Sequence, residues 1–408
     1  MITTIQTGGV CAPLGFSAGG VHCGLAKQPD KKDLALIVSE VPCAAAAIYT
    51  RNKVKASPLA VTKAHLADGT ARAVICNSGN ANACSADGEA VARGMCRAAA
   101  QALGISPRDV AVGSTGVIGQ PLPLEKVAAA APALKAALED GWGGSDAAAR
   151  AIMTTDLSKK ELAISFVLGG KTCRLGGIAK GSGMIHPNMG TMLAFLTTDA
   201  AVSAPMLQKA LRDVTEDTFN MVSVDGDTST NDMCVVLANG LAGNPIVDAE
   251  GPALEDFTGA LRAVCTHLAR EMARDGEGAT KLLTCTVEGA PDTRTARVLS
   301  KSVICSNLFK AAMFGADANW GRVLCALGYA DADFDISRTG VCFASAAGSV
   351  EVCKDGAGVP FSEEQAKRVL GEKEIDIRVS LCQGGGSATA WGCDLTYDYV
   401  KINGDYRS

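Results

Sequence analysis

Short apolar segments recur along this chain and read as strand candidates. They fall at 34–38, 73–76, 162–167, 192–197, 233–238, 282–287, 375–382 and 389–395. Other segments repeat their apolar residues at the helical period and predict helices over 88–103, 124–138, 205–219, 254–274 and 363–370. The last carries its own punctuation: Ser362 with Gln365 fits a capping box, and Gly371 fits the stop. Several strand pairs lack a helix between them, which argues against a doubly wound parallel sheet. Sheet layers covered by helices, an α/β sandwich, are the expected architecture. No internal repeat or low-complexity linker marks a boundary.

Composition narrows the class. A chain of 408 residues, 48% hydrophobic and 20% charged, has ample material for a large core. A net charge of −5 gives no reason to expect nucleic acid or an anionic membrane as partner. The N-terminus shows no signal peptide and no apolar run reaches spanning length, so a cytoplasmic protein is expected. Sixteen cysteines stand without a Cys-x-x-Cys pair and beside only four histidines, so no metal site is expected. Most lie in apolar runs, as Cys76 and Cys234 do, and read as small buried hydrophobes in a reducing compartment.

Candidate chemistry concentrates at a few places. Thr191 follows Gly190 and opens an apolar run. A glycine carbonyl is sterically open to attack, and a threonine hydroxyl attacking it would cut the chain into 1–190 and 191–408. The product would carry a hydroxyl and a free α-amine on one residue, a nucleophile with its own base. Taken alone, these two residues read more readily as a turn entering a strand. The stretch 110–119 is a short apolar strand running into a Ser-Thr-Gly turn. Thr115, through its hydroxyl, and Gly116, through its N–H, are oxyanion candidates there, with an ordinary strand–helix loop as the other reading. Residues 77–82 form a dense cluster of small hydrogen-bonding side chains. Residues 223–232 look like a calcium loop, but Thr230 stands where the glycine belongs and Val236 where the bidentate glutamate belongs. A polar turn that shapes a site is the better reading. His186 lies near Gly190–Thr191 and reads as a structural donor more readily than as a base.

With these stretches in view, the chain resembles the ornithine acetyltransferase family, also called the glutamate N-acetyltransferase or arginine biosynthesis bifunctional protein family. The landmarks run in order at 8–16, 77–83, 114–116, 152–156, 180–199, 223–232, 273–281, 315–322 and 399–408. The resemblance implies that Thr191 is the self-cleaving residue and nucleophile, and that Thr115 and Gly116 form the oxyanion hole. It implies substrate contacts from Thr154, Lys180, Thr191, Glu277, Asn403 and Ser408. Two positions depart from the family pattern: Gly190 replaces the usual alanine, and Ser408 replaces a terminal threonine.

The implied fold is a layered α-β-β-α-type sandwich, similar in logic to the N-terminal nucleophile hydrolases but distinct in topology. The implied partners are N2-acetylornithine, glutamate and, in some members, acetyl-CoA as donor, with no cofactor required. Both fragments stay together, usually as a dimer of fragment pairs. Two competing functions share parts of this pattern. An N-terminal nucleophile aminopeptidase or amidase would use Thr191 but release its acyl group to water. A non-catalytic amino-acid-binding protein would keep Gly190–Thr191 as a turn.

Overall fold

A computed structural model describes residues 2–186 and 192–405. Gly190, Thr191 and Ser408 lie outside the described residues. Among the described residues, one sheet of nine strands and one of seven carry the fold. The first contains β1 (Ile2–Ile5), β2 (Phe16–Val21), β3 (Leu34–Tyr49), β4 (Thr70–Asn77), β5 (Val110–Ser114), β6 (Lys160–Leu168), β7 (Lys171–Lys180), β8 (Leu193–Thr198) and β10 (Met233–Ala238). Its order is β1-β6-β7-β8-β10-β3-β4-β5, with β2 also paired to β3. The second contains β9 (Val222–Ser223), β11 (Leu282–Ala290), β12 (Gly340–Ser345), β13 (Gly348–Lys354), β14 (Ala357–Gly358), β15 (Glu374–Ser380) and β16 (Gly386–Cys393).

The sequence-derived elements are borne out. All eight apolar runs are strands, and the five helical segments are helices, two of them with the expected bounds at Gly88–Leu103 and Glu363–Leu370. The capping box is half realised. Gln365 N donates to Ser362 Oγ at 3.2 Å, but the Gln365 side chain donates to Ser349 O instead of reaching back. Gly371 ends the helix with φ −75°, so no left-handed cap is used there.

β8 and β10 are buried along their whole length and pair in parallel. Their unbroken apolar sequences, Leu-Ala-Phe-Leu-Thr-Thr and Met-Cys-Val-Val-Leu-Ala, reflect burial on both faces, each fully buried large side chain being worth about 1.5–3 kcal/mol. Most other pairs in this sheet are antiparallel. β3 runs far past its first apolar run because the register slips between Val38 and Cys43, around Pro42, a residue that strands tolerate at such irregularities. β2 pairs with its residues 34–39, β4 with 34–38 and again with 43–44, and β10 with 44–49. The sheet curls. Gly113 of β5 faces the Phe195 ring of β8 and Met233 of β10, and a Cβ at Gly113 would lie 3.2 Å from that ring.

Helices pack on both sheets. The long helix α1 (Pro252–Arg274) lies against β6 and β7 of the first sheet and against β9, β11 and β16 of the second. The largest core joins both sheets through it, with Leu261, Val264, Leu268 and Met272 fully buried. Strands from both sides of residue 191 interleave in the first sheet: β7 pairs with β8, and β3 with β10. The whole is a mixed α/β fold with two sheets and covering helices, as the sequence indicates.

Candidate active site

A cavity of about 510 Å³ is lined by residues from distant parts of the chain. Thr115 and Gly116 enter it from the end of β5, Thr154 from the loop before β6, and Lys180 from the end of β7. Met192 and Leu193 enter where β8 begins, and residues 229–232 where β10 begins. Glu277 comes from the loop between α1 and β11, and Asn403 from the C-terminal helix α2 (Tyr397–Asp405). Every described residue that the sequence assigned to the site is therefore brought together.

The Ser114–Gly116 turn is held by a dense set of hydrogen bonds. Thr115 N donates to Asn77 O at 2.9 Å, and Asn77 Nδ2 donates to Ser114 Oγ at 2.7 Å. Asn77 Oδ1 accepts the N–H groups of Gly79 and Asn80, and Asn80 Nδ2 reaches the carbonyls of Gln120 and Pro121. The polar cluster at 77–82 is thus the brace of the turn. Gly116 has φ +125°, and a Cβ there would sit 2.8 Å from Asn80 N and from the Gly79 carbonyl carbon. Only glycine fits, and its N–H has no protein acceptor among the described residues.

Lys180 is buried, and its ammonium donates to Thr154 Oγ1 at 2.8 Å and to Thr115 Oγ1 at 3.4 Å. It makes no ion pair among the described residues. A buried ammonium with two neutral hydroxyl partners has the chemistry to receive an anion. Its backbone is pinned from behind: Gly181 N donates to Asp156 Oδ1 at 2.7 Å. Asp156 also binds Lys160 Nζ at 2.6 Å, and Lys160 bridges to Asp275 at 2.6 Å, with no exposure of its own side chain. Burial alone would raise the Asp156 pKa, but Lys180, Lys160 and the Thr154 N–H hold it well below the usual carboxylate range. This buried triad escaped sequence reading. Asp156 and Lys160 lie only four residues apart, but Asp275 is 115 residues beyond Lys160, and only the fold makes them one network.

Glu277 presents the opposite charge. It is buried, receives Asn403 Nδ2 at 2.8 Å, and has no cationic partner among the described residues. Gly183 lets it lie close, since a Cβ at Gly183 would fall 2.3 Å from the Glu277 carboxyl carbon. The C-terminal helix is anchored to the same loop: Thr396 Oγ1 donates to Gly278 O at 2.6 Å, and Gly278, at φ +68°, has Tyr399 N directly above it.

The stretch 223–232 is a clamp. Asp225 accepts Met184 N at 2.6 Å and Ile185 N at 2.9 Å, and Thr228 Oγ1 donates to His186 O at 2.8 Å. Asn231 Nδ2 donates to Ala81 O and Ser114 O, tying the polar cluster and the Ser114–Gly116 turn to β10. His186 does not line this cavity. Its Nδ1 lies 3.1 Å from Ser223 Oγ and 3.5 Å from Cys305 Sγ, in a neighbouring cavity. Burial, with help from Lys301, pulls its pKa down to about 4, so it is neutral at pH 7.

Residues 17–408 match the ArgJ family. The chain is 54% identical, over 98% of its length and 99% of the relative, to the arginine biosynthesis bifunctional protein ArgJ of Symbiobacterium thermophilum. The crystal structure of arginine biosynthesis bifunctional protein argJ from Bacillus halodurans matches at 45% identity with a TM-score of 0.50, covering 52% of this chain and 98% of that one. Ornithine acetyltransferase from Mycobacterium tuberculosis, solved in complex with ornithine, matches at 40% identity with a TM-score of 0.43, covering 46% of this chain and all of that one. The chain belongs to the ArgJ family.

Proposed function

We propose that this chain is a self-processing acetyltransferase of arginine biosynthesis, moving the acetyl group of N2-acetylornithine to glutamate through an acetyl ester on Thr191. The observation that carries this reading is the convergence of Thr115, Gly116, Thr154, Lys180, Glu277 and Asn403 on one cavity beside Met192. In the first step the Thr191 hydroxyl attacks the Gly190 carbonyl, and water resolves the ester, leaving Thr191 as a new N-terminus. The amine of Thr191 then takes the proton of its own hydroxyl, and the hydroxyl attacks the acetyl carbonyl. The Thr115 hydroxyl and Gly116 N–H receive the developing oxyanion, each such donor being worth about 2.7–4 kcal/mol. Ornithine leaves with the amine's proton, and glutamate accepts the acetyl group by the reverse sequence.

The charges sort the substrate. Lys180 with Thr154 suits the α-carboxylate common to acetylornithine and glutamate, and Glu277 suits the side-chain ammonium of ornithine. Ser408 would add a hydroxyl from the chain end. The cycle as written consumes no cofactor. Acetyl-CoA serves as an alternative donor, in keeping with the bifunctional name of relatives half identical to this chain. The fragments 1–190 and 191–408 remain associated, because they share the first sheet through the β7–β8 and β3–β10 pairs. A dimer of such pairs is the proposed assembly. The solved Bacillus chain is almost wholly covered by about half of this one, as a separate fragment would be. None of the described helices is long and apolar enough to cross a membrane, and a cytoplasmic location is proposed.

The test supplies acetylornithine and acetyl-CoA separately, each with and without glutamate. Release of ornithine that depends on glutamate and yields N-acetylglutamate supports transfer. Release that proceeds equally without glutamate would replace the transferase by an amidohydrolase.

A further inference from the structure

Asp232 has no part in the cycle above, yet it lines the same cavity. It is fully enclosed at the entry to β10, and its Oδ2 has no hydrogen-bond partner among the described residues. The Ser229 and Thr50 side chains and the Met192 N–H face its carboxyl, and Lys180 is the charged group acting on it across the cavity. Burial outweighs them all and raises its pKa well above the ordinary carboxylate value, which favours the neutral acid. A buried carboxyl oxygen without a partner is costly, so the open Oδ2 points to a ligand or transient partner. Met192 is fixed beside it, since Met233 N donates to Met192 O at 2.9 Å. One peptide bond separates Met192 from residue 191, and a trans peptide spans about 3.8 Å between Cα atoms.

We propose that Asp232 is the positioning residue for the N-terminal amine that cleavage creates at residue 191. Its side-chain carbonyl oxygen accepts one amine N–H, which turns the nitrogen's lone pair toward the residue's own hydroxyl. A neutral acid suits this task better than a carboxylate. A full negative charge would hold the amine protonated and unable to act as base, whereas a carbonyl dipole orients it at modest cost to its basicity. When the amine becomes an ammonium during acyl transfer, the same oxygen steadies it. The inference rests on the Thr191 reading proposed above.

The experiment compares the wild type, Asp232→Ala and Asp232→Asn as full chains. Intact mass establishes cleavage, and kcat, KM and the pH profile of kcat/KM are measured on the cut enzyme. Asp232→Asn keeps a carbonyl oxygen in place and should stay within fivefold of wild-type kcat, with the acid limb of its profile unmoved. Asp232→Ala should lose thirtyfold or more in kcat, keep KM within twofold, and move the acid limb to lower pH, because the ammonium has lost its acceptor. If the alanine chain is not cut, the asparagine variant decides alone. A cut asparagine enzyme with an unmoved limb supports the proposal. A cut one with a displaced limb or a thirtyfold loss overturns it, and so does a folded asparagine chain that stays uncut. Wild-type-like turnover by Asp232→Ala also overturns it. Failure of the underlying reading would show separately, as a wild-type chain neither cut nor acetylated.

Discussion

Gly116→Ala tests the proposed oxyanion turn apart from the rest of the site. The new Cβ would stand 2.8 Å from Asn80 N and from the Gly79 carbonyl carbon, both backbone atoms braced by Asn77. Relieving that overlap to an ordinary contact needs about 0.6 Å of movement, and the rigid partner is the 77–80 cluster, so the turn itself must give. A donor retreating by that amount from about 2.9 Å ends beyond hydrogen-bond range of the oxyanion. The loss should approach removal of one donor, about 2.7–4 kcal/mol, or 10²- to 10³-fold in kcat. Forcing alanine to φ +125° adds about 1–3 kcal/mol of backbone strain, read as a lower melting temperature. KM should change little, because Lys180 and Glu277 stand on other elements. The assay measures kcat and KM per cut molecule, with the cut fraction taken from intact mass and folding from thermal melting. A variant that melts lower yet keeps kcat within threefold would refute the assignment of the Gly116 N–H.

Three further outcomes follow from the same geometry. Lys180→Met should leave a folded chain and raise KM for acetylornithine by roughly 10- to 150-fold, the worth of about 1.5–3 kcal/mol for a charged hydrogen bond, while an unchanged KM would remove Lys180 from carboxylate binding. Lys160→Met leaves Asp156 and Asp275 buried without their cation, so denaturant unfolding should show a loss of about 3–5 kcal/mol. Asp156→Asn tests the sign of the pH effect. Because the folded pKa of Asp156 lies below the unfolded value of about 3.9, its contribution is complete above that value and is lost as pH falls through the folded one. The stability gap between wild type and variant should therefore stay constant from pH 7 to about 4 and close only below it.

Much of the fold was legible because burial on both faces writes continuous apolar runs. β8 and β10 announce themselves in this way. β7 did not, because it reads Lys-Thr-Cys-Arg-Leu-Gly-Gly-Ile-Ala-Lys. Its Gly176 sits where a Cβ would fall 1.7 Å from Gly9 O, so close backbone packing there needs the very residue that weakens a strand signal. The helix Thr293–Cys305 was missed although Asp292 caps it through Thr295 N, a local signal that sequence does carry. At the site, Thr115 and Gly116 were readable from a strand ending in a glycine turn. Thr154, Lys180, Glu277 and Asn403 came through family resemblance, since nothing local marks them. Asp232 and the Asp156–Lys160–Asp275 network depend on which residues the fold encloses together. The calcium-like spacing of 223–232 proved to be a backbone clamp on Met184 and Ile185.

The central claim, that Thr191 cuts the chain and then carries the acetyl group, is tested most directly by intact mass spectrometry of the wild type and Thr191→Ala before and after brief exposure to acetylornithine. The expected result is two wild-type fragments, 1–190 and 191–408, with one acetyl group trapped on the second, and a single unacetylated chain for the variant. An intact wild-type chain, or a Thr191→Ala chain that is cut and acetylated, would contradict it.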